Sequence, residues 1–175
     1  MNAKPHVWIV SLPRCGTTSL SKALRILGWN PIDNPRHWDQ LEGHDAAGDV
    51  LIATHWRDLL EMFPRSKFIL STRRFSAWRR SLLRIPGFWT SPMIYDQYHR
   101  NTLFGCSPTD RAGLRTAWDW HHDTIVNTIP PAQLLCVPLA SDWEPLCQFL
   151  DRPIPAVPFP WLNRLGHQDV PIRGG

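Results

Sequence analysis

The sequence predicts a three-layer α/β domain, with a mainly parallel central sheet flanked by helices. Three observations carry this prediction. Short, nearly continuous apolar runs at residues 7–10, 67–72 and 134–137 suit strands buried on both faces. These runs alternate with stretches of helical periodicity, which is the pattern of βα units. The chain has 175 residues, 43% of them apolar and 19% charged, enough for one domain with a real core and too apolar for disorder. A single domain over residues 1–175 is expected, with 152–175 a proline-rich wrap in extended form.

The elements follow in order. Strand 7–10 leads into turn 11–16 and a helix over about 17–27, where Leu20, Ala23, Leu24 and Leu27 recur at helical spacing. Gly28 is a suitable stop. Residues 29–48 are rich in Pro, Asn, Asp, His and Gly and read as loop. Residues 50–53 (Val-Leu-Ile-Ala) read as a short strand, and 56–62 as a helix ended by Pro64. Strand 67–72 is followed by a basic helix over 77–84. Residues 85–113 carry several Pro and Gly and read as loops and short helices, holding Phe88, Trp89, Tyr95, Tyr98 and Phe104. A helix over about 110–128 is marked by Leu114, Ala117, Trp118, His121 and Ile125, and Pro130-Pro131 stops it. Strand 134–137 and helix 144–150, with Pro145 in its first turn, close the domain. Ligands of such sheets gather at the carboxyl ends of the strands, so the turns after Val10, Ala53 and Thr72 are the expected site.

A net charge of +4 points to an anionic partner. There is no basic tail and no RNA-binding signature, so the expectation is a small polyanion and no nucleic acid. No apolar run reaches the roughly 18 residues of a spanning helix, and residues 1–10 lack a signal-peptide pattern. Cys15, Cys106, Cys136 and Cys147 form neither a CxxC pair nor a zinc-ligand spacing. Reduced thiols, a cytoplasmic location, no membrane partner and no metal are therefore expected. The ten Trp are assigned mainly to core packing.

Two βα corners carry the chemistry. Turn 12–19, Leu-Pro-Arg-Cys-Gly-Thr-Thr-Ser, sits between a buried strand and a helix start. Backbone N–H groups there can converge on an anion, Gly16 lets the backbone approach, and Arg14, Thr17, Thr18 and Ser19 add donors. It is not a Walker A motif, because Thr17 stands where the Lys should be and Ser11 where the first Gly should be. At the second corner Arg73 leaves the end of strand 67–72, and Ser81 lies on the next helix. The two could reach one further phosphate group.

These motifs resemble the P-loop sulfotransferases that use 3′-phosphoadenosine 5′-phosphosulfate (PAPS). Pro13-Arg14-Cys15-Gly16-Thr17-Thr18 is similar to the loop that binds the 5′-phosphosulfate in that family. Arg73 with Ser81 is similar to its 3′-phosphate pair. The branch with Leu-Pro-Arg-x-Gly-Thr loops is the closer likeness. It also resembles residues 63–73, 129–135, 143–150 and 157–163, so the likeness runs over most of 7–163. Three departures stand out: Cys15 where Thr or Ser is commoner, Arg74 in place of an Asp, and a short 29–48 segment.

The resemblance implies a three-layer P-loop-type fold and transfer of a sulfuryl group from PAPS to a hydroxyl or amine of a small-molecule acceptor. The bisphosphate PAP would be the product, and no metal is needed. Arg14, Cys15, Gly16, Thr17, Thr18, Ser19, Arg73 and Ser81 are the implied cofactor residues. Arg14 is also placed in catalysis, stabilising the leaving phosphate oxygen. Asp49 is the first choice for general base and His55, of Thr54-His55, the second. His121 fits a structural hydrogen bond better than a site role, and Arg173 is compared with a 3′-phosphate loop. Two alternatives stand beside this reading: a PAPS- or PAP-binding protein without turnover, and a small-molecule kinase on the same scaffold.

Overall fold

A computed structural model describes residues 5–139 and 142–162. The central sheet has five strands in the order β2-β3-β1-β4-β5, and every pairing is parallel. The strands are β1 (Val7–Ile9), β2 (Pro31–Ile32), β3 (Ala46–Gly48), β4 (Lys67–Thr72) and β5 (Leu134–Pro138). The helices are α1 (Thr17–Ile26), α2 (Val50–Thr54), α3 (Trp56–Met62), α4 (Phe75–Leu82), α5 (Ile94–Leu103), α6 (Arg111–Thr128) and α7 (Trp143–Leu150). A short 3₁₀ turn covers Trp38–Leu41.

Strand alternation sorts the core into two layers. Val7, Ile9 and Ile69 face α1 and α7, where Leu20, Leu24, Trp143, Leu146 and Leu150 are buried. Trp8, Val10, Phe68 and Leu70 face the other way, onto Trp56 and Leu59 of α3 and Ile125 of α6. This is the flanked parallel sheet that the apolar runs predict. A third cluster lies beyond the carboxyl ends of the strands and joins Leu12, Cys15, Val50, Trp78, Leu82, Phe104 and Leu114. It supports the loops that build the site.

Two expectations need correction. Residues 29–48 are not simply loop, since they contain β2, the 3₁₀ turn and β3. Residues 50–53 form α2 and not a strand. Small side chains explain the exchange. Ala46 and Ala47 are fully buried, and a Cβ on Gly48 would lie 3.1 Å from Cβ of Ile9, so β3 fits beside β1 because its residues are small. The next segment is then turned into a helix by Asp49, whose carboxylate accepts the Val50 N–H at 2.8 Å. At its far end the Thr54 hydroxyl donates to the Val50 carbonyl at 2.8 Å. The Pro- and Gly-rich stretch after α4 holds the ten-residue α5.

Residues 152–162 form no helix or strand, bend at 156–157 and pack against α1 and α7. Trp143 Nε1 donates to the Val157 carbonyl at 2.6 Å, and the Phe159 ring meets the Trp143 ring edge-on at 5.0 Å. The Leu162 amide donates to Oγ of Ser19 at 3.0 Å. Asn163, Arg173 and the rest of the expected wrap lie outside the described residues.

His121 is a buried tie between α6 and the sheet. Its Nε2 lies 2.8 Å from the Val10 carbonyl, which only accepts, so Nε2 carries the hydrogen. Burial pushes its pKa down from 6.5 to about 4. Unfolding below pH 6.5 therefore takes up a proton that the native ring refuses. The associated stability is complete above about pH 6.5 and is lost as pH falls toward 4. Urea titrations at a series of pH values should show this decline, and His121→Gln should flatten it while lowering stability at neutral pH by about 1–3 kcal/mol.

Candidate active site

The loop between β1 and α1 is held by buried hydroxyls. Ser71 of β4 donates from Oγ to the Cys15 carbonyl at 2.5 Å, and its amide donates to Oγ of Ser11 at 2.7 Å. The Ser11 hydroxyl lies 2.9 Å from Oγ of Ser71, and with the Ser71 hydrogen already used, Ser11 is the donor. Indole Nε1 of Trp78, fully buried on α4, donates to the Pro13 carbonyl at 3.0 Å. These ties fix a backbone with φ of 72° at Arg14 and 88° at Gly16. Such angles are easy for glycine and strained for arginine, so the Arg14 conformation is enforced by its neighbours. Gly16 caps α1 with no side-chain hydrogen bond to its first amides.

The same geometry joins the two βα corners. Arg14 Nε donates to Oγ of Ser81 at 3.0 Å. Arg73 donates from a terminal nitrogen to the Arg14 carbonyl at 3.1 Å. Its Nε is buried and has no hydrogen-bond partner among the described residues. Burial, with Arg14 and Arg80 nearby, lowers the Arg73 pKa from its ordinary value. A crowded, partly desolvated guanidinium of this kind is stabilised by an anion.

Arg14, Gly16, Thr17, Thr18, Ser19, Arg73 and Ser81 all line one cavity of about 720 Å³. Cys15 does not. Its thiol is buried in the third cluster, where burial pushes it up to about 12, so only its backbone serves the loop. Leu139 leans over Gly16, where an added Cβ would fall 2.3 Å from its Cδ1, and with Trp161 and Leu162 it walls the α1 side.

The opposite wall comes from α2, α5 and the segment after β2. Asp49 is on it, at the carboxyl end of β3, with φ 79° and ψ −161°. That conformation is costly for a residue with a side chain, and such strain gathers at functional positions. Burial raises the carboxyl above its ordinary value, and Asp33 adds to this, while the Val50 amide and Arg14 oppose it.

His55 is placed differently. Its Nδ1 is 2.9 Å from the Asp58 carboxylate, and its ring sits among Trp38, Tyr98 and His99. The imidazole on the cavity wall is His99 of α5, only 2% exposed. Sequence reasoning missed it, because residues 85–113 read as loops and short helices and α5 buries only His99 and Leu103. Its one signal was His99 four residues after Tyr95, one helical turn. Arg36 and Asp96 also reach this wall, paired at 3.6 Å. Among the described residues no group of three or more His, Cys, Asp or Glu is arranged to hold a metal ion. No described helix is long and apolar enough to cross a membrane.

Several known proteins are similar to this chain. The Ava biosynthesis cluster protein M of Aspergillus versicolor is 26% identical over 207 residues, covering 89% of this chain and 80% of that protein. The fold is similar to that of a sulfotransferase from Alicyclobacillus acidocaldarius, with a TM-score of 0.54 at 13% identity over 94% of this chain and 87% of the other. It is also similar to mouse sulfotransferase SULT7A1 in complex with PAP, with a TM-score of 0.50 at 12% identity over 87% of this chain and 61% of the other. The family model for the sulfotransferase domain matches residues 32–167, well over half of the chain. With a parallel sheet of the matching fold beneath this cavity, the chain belongs to the sulfotransferase domain family.

Proposed function

We propose that this sulfotransferase uses PAPS as donor and transfers the sulfuryl group to a hydroxyl, or an amine, of a small-molecule acceptor. The observation that carries the donor is the 3.0 Å hydrogen bond from Arg14 to Ser81, which unites the two phosphate-binding corners in one cavity with Arg73. The unpartnered Nε of Arg73 fits a doubly phosphorylated nucleotide. When bound, PAPS supplies an activated sulfuryl group and a phosphate leaving group.

The residues divide the work. Arg14, Thr17, Thr18 and Ser19, with the backbone at Cys15 and Gly16, would hold the 5′ end. Ser19 accepts from Leu162 and keeps its own hydroxyl hydrogen to donate. Arg73 and Ser81 would hold the 3′-phosphate. Arg14 stabilises charge on the leaving oxygen, and as an arginine it stays protonated throughout. Asp49 takes the proton of the acceptor, its raised pKa bringing it nearer the working pH. His55, the second choice for this role, is turned toward Asp58. A cavity of about 720 Å³ falls within the roughly 300–1,000 Å³ typical of small-ligand sites. The free thiols of all four cysteines support a reducing compartment, the cytoplasm.

Calorimetry with PAP tests the donor. PAP should bind more tightly than ATP, and Arg73→Ala should weaken PAP by about 10- to 100-fold. Preference for ATP, or an unchanged affinity in the variant, overturns the assignment.

Asp49→Asn tests the base and has an opposite effect on the fold. Because the native state raises the Asp49 pKa, the ionised carboxylate destabilises it as pH rises through that window. Asparagine keeps an oxygen for the Val50 amide. Turnover should fall about 10²- to 10⁴-fold, while the melting temperature at neutral pH rises. The thermal gain should vanish below about pH 3.9, where Asp is protonated in both states. Wild-type turnover in Asp49→Asn removes Asp49 from the role.

A further inference from the structure

Three hydroxyl groups on the His99 side of the cavity have already committed their hydrogens. Thr54 donates to the Val50 carbonyl at 2.8 Å, Tyr95 donates to the Pro35 carbonyl at 3.1 Å, and Ser91 donates to the Asp96 carboxylate. Thr54 Oγ1 is also 2.8 Å from Nδ1 of His99. Its single hydrogen is on Val50, so His99 is the donor in that contact. A neutral imidazole with its hydrogen at Nδ1 has a bare lone pair at Nε2. Burial, and then His55, push the His99 pKa down to about 4, which keeps the ring neutral near pH 7.

His99 Nε2 makes no hydrogen bond among the described residues. The Tyr95 ring, edge-on at 4.2 Å, and the Tyr98 ring at 5.0 Å restrain the imidazole. Asp49 adds a carboxylate to the same wall. The donors on this side are Asn34 and Arg36, and Arg36 is drawn to Asp96 at 3.6 Å. This part of the cavity thus offers lone pairs more than hydrogens. Asp49 caps the start of α2 and Thr54, the partner of His99, ends it. Asp49 and His99 thus belong to opposite ends of α2 and line the same cavity. Phe88 and Tyr95 supply apolar ring faces beside them.

We propose that His99 Nε2 recognises a second hydrogen-bond donor on the acceptor, beside the hydroxyl that reacts at Asp49, so that preferred acceptors are flat rings carrying neighbouring hydroxyls. This rests on the sulfuryl-transfer reading above. A buried acceptor atom built for a substrate O–H is left unpaired by an analogue without it, and discrimination is then large.

The test compares kcat/KM of the full chain, with PAPS, for catechol and for guaiacol, its monomethyl ether. Catechol should lead by roughly a hundredfold or more, and His99→Phe should erase the lead. Thr54→Val is the second variant, should His99→Phe fail to fold. It keeps the ring, releases its tautomer, and should shrink the lead with PAP affinity unchanged. Nitrogen NMR of the wild type should show His99 protonated at Nδ1 and bare at Nε2, with the Nε2 signal moving when catechol joins the PAP complex. Equal rates, a hydrogen on Nε2, or no catechol binding to the PAP-loaded protein each overturns the inference. Failure to bind PAP strikes the donor assignment beneath it instead.

Discussion

A buried knot of hydroxyls between neighbouring strands governs the site. Ser11 and Ser71 sit at the ends of β1 and β4, fully or nearly fully buried, where water cannot satisfy them. They satisfy each other and the Cys15 carbonyl instead. In a low-dielectric setting such a closed set is stiff, because opening any one bond leaves a polar group stranded. The stiffness is passed to the loop, which keeps Arg14 and Gly16 at positive φ. That backbone aims the Arg14 side chain at Ser81, so the link between the two corners depends on hydrogen bonds in which neither the Arg14 nor the Ser81 side chain takes part.

Much of this architecture was legible in the sequence, for physical reasons. Strands β1, β4 and β5 lie in a sheet covered on both faces, and double burial leaves a continuous apolar run. Helices α1, α6 and α7 bury one face each, which leaves a spaced one. The reading failed where side-chain size rather than apolarity decides. Ala46, Ala47 and Gly48 carry little hydrophobic signal, yet they pair with β1 because nothing larger fits there. The apolar run at 50–53 is too short for periodicity to separate helix from strand, and the Asp49 cap settles it.

The site divides in the same way. The two βα corners proposed to hold phosphates are written in local motifs, since a loop and the helix after it are contiguous in the chain. The opposite cavity wall is assembled from α2, α5 and the segment after β2, which meet only in three dimensions. His99 reaches Thr54 across 45 residues, and Tyr95 reaches Pro35 across 60. Neither contact leaves a mark on any short stretch of sequence. Asp49 could be found because it precedes the apolar run at 50–53 at a position matching an Asp of the resembling branch, whereas the orientation of His55 could not, being set by Asp58 and the rings around it.

The bond from Leu162 to Ser19 spans 143 positions and seats a late stretch of chain on the first turn of α1. Synthesis runs from the amino end, so the loop between β1 and α1 emerges early and waits for Trp161 and Leu162. A nascent chain short of residue 162 has the loop but lacks the side formed by Trp161 and Leu162. That wall of the cavity is thereby completed only after every element from β1 to α7 has been translated.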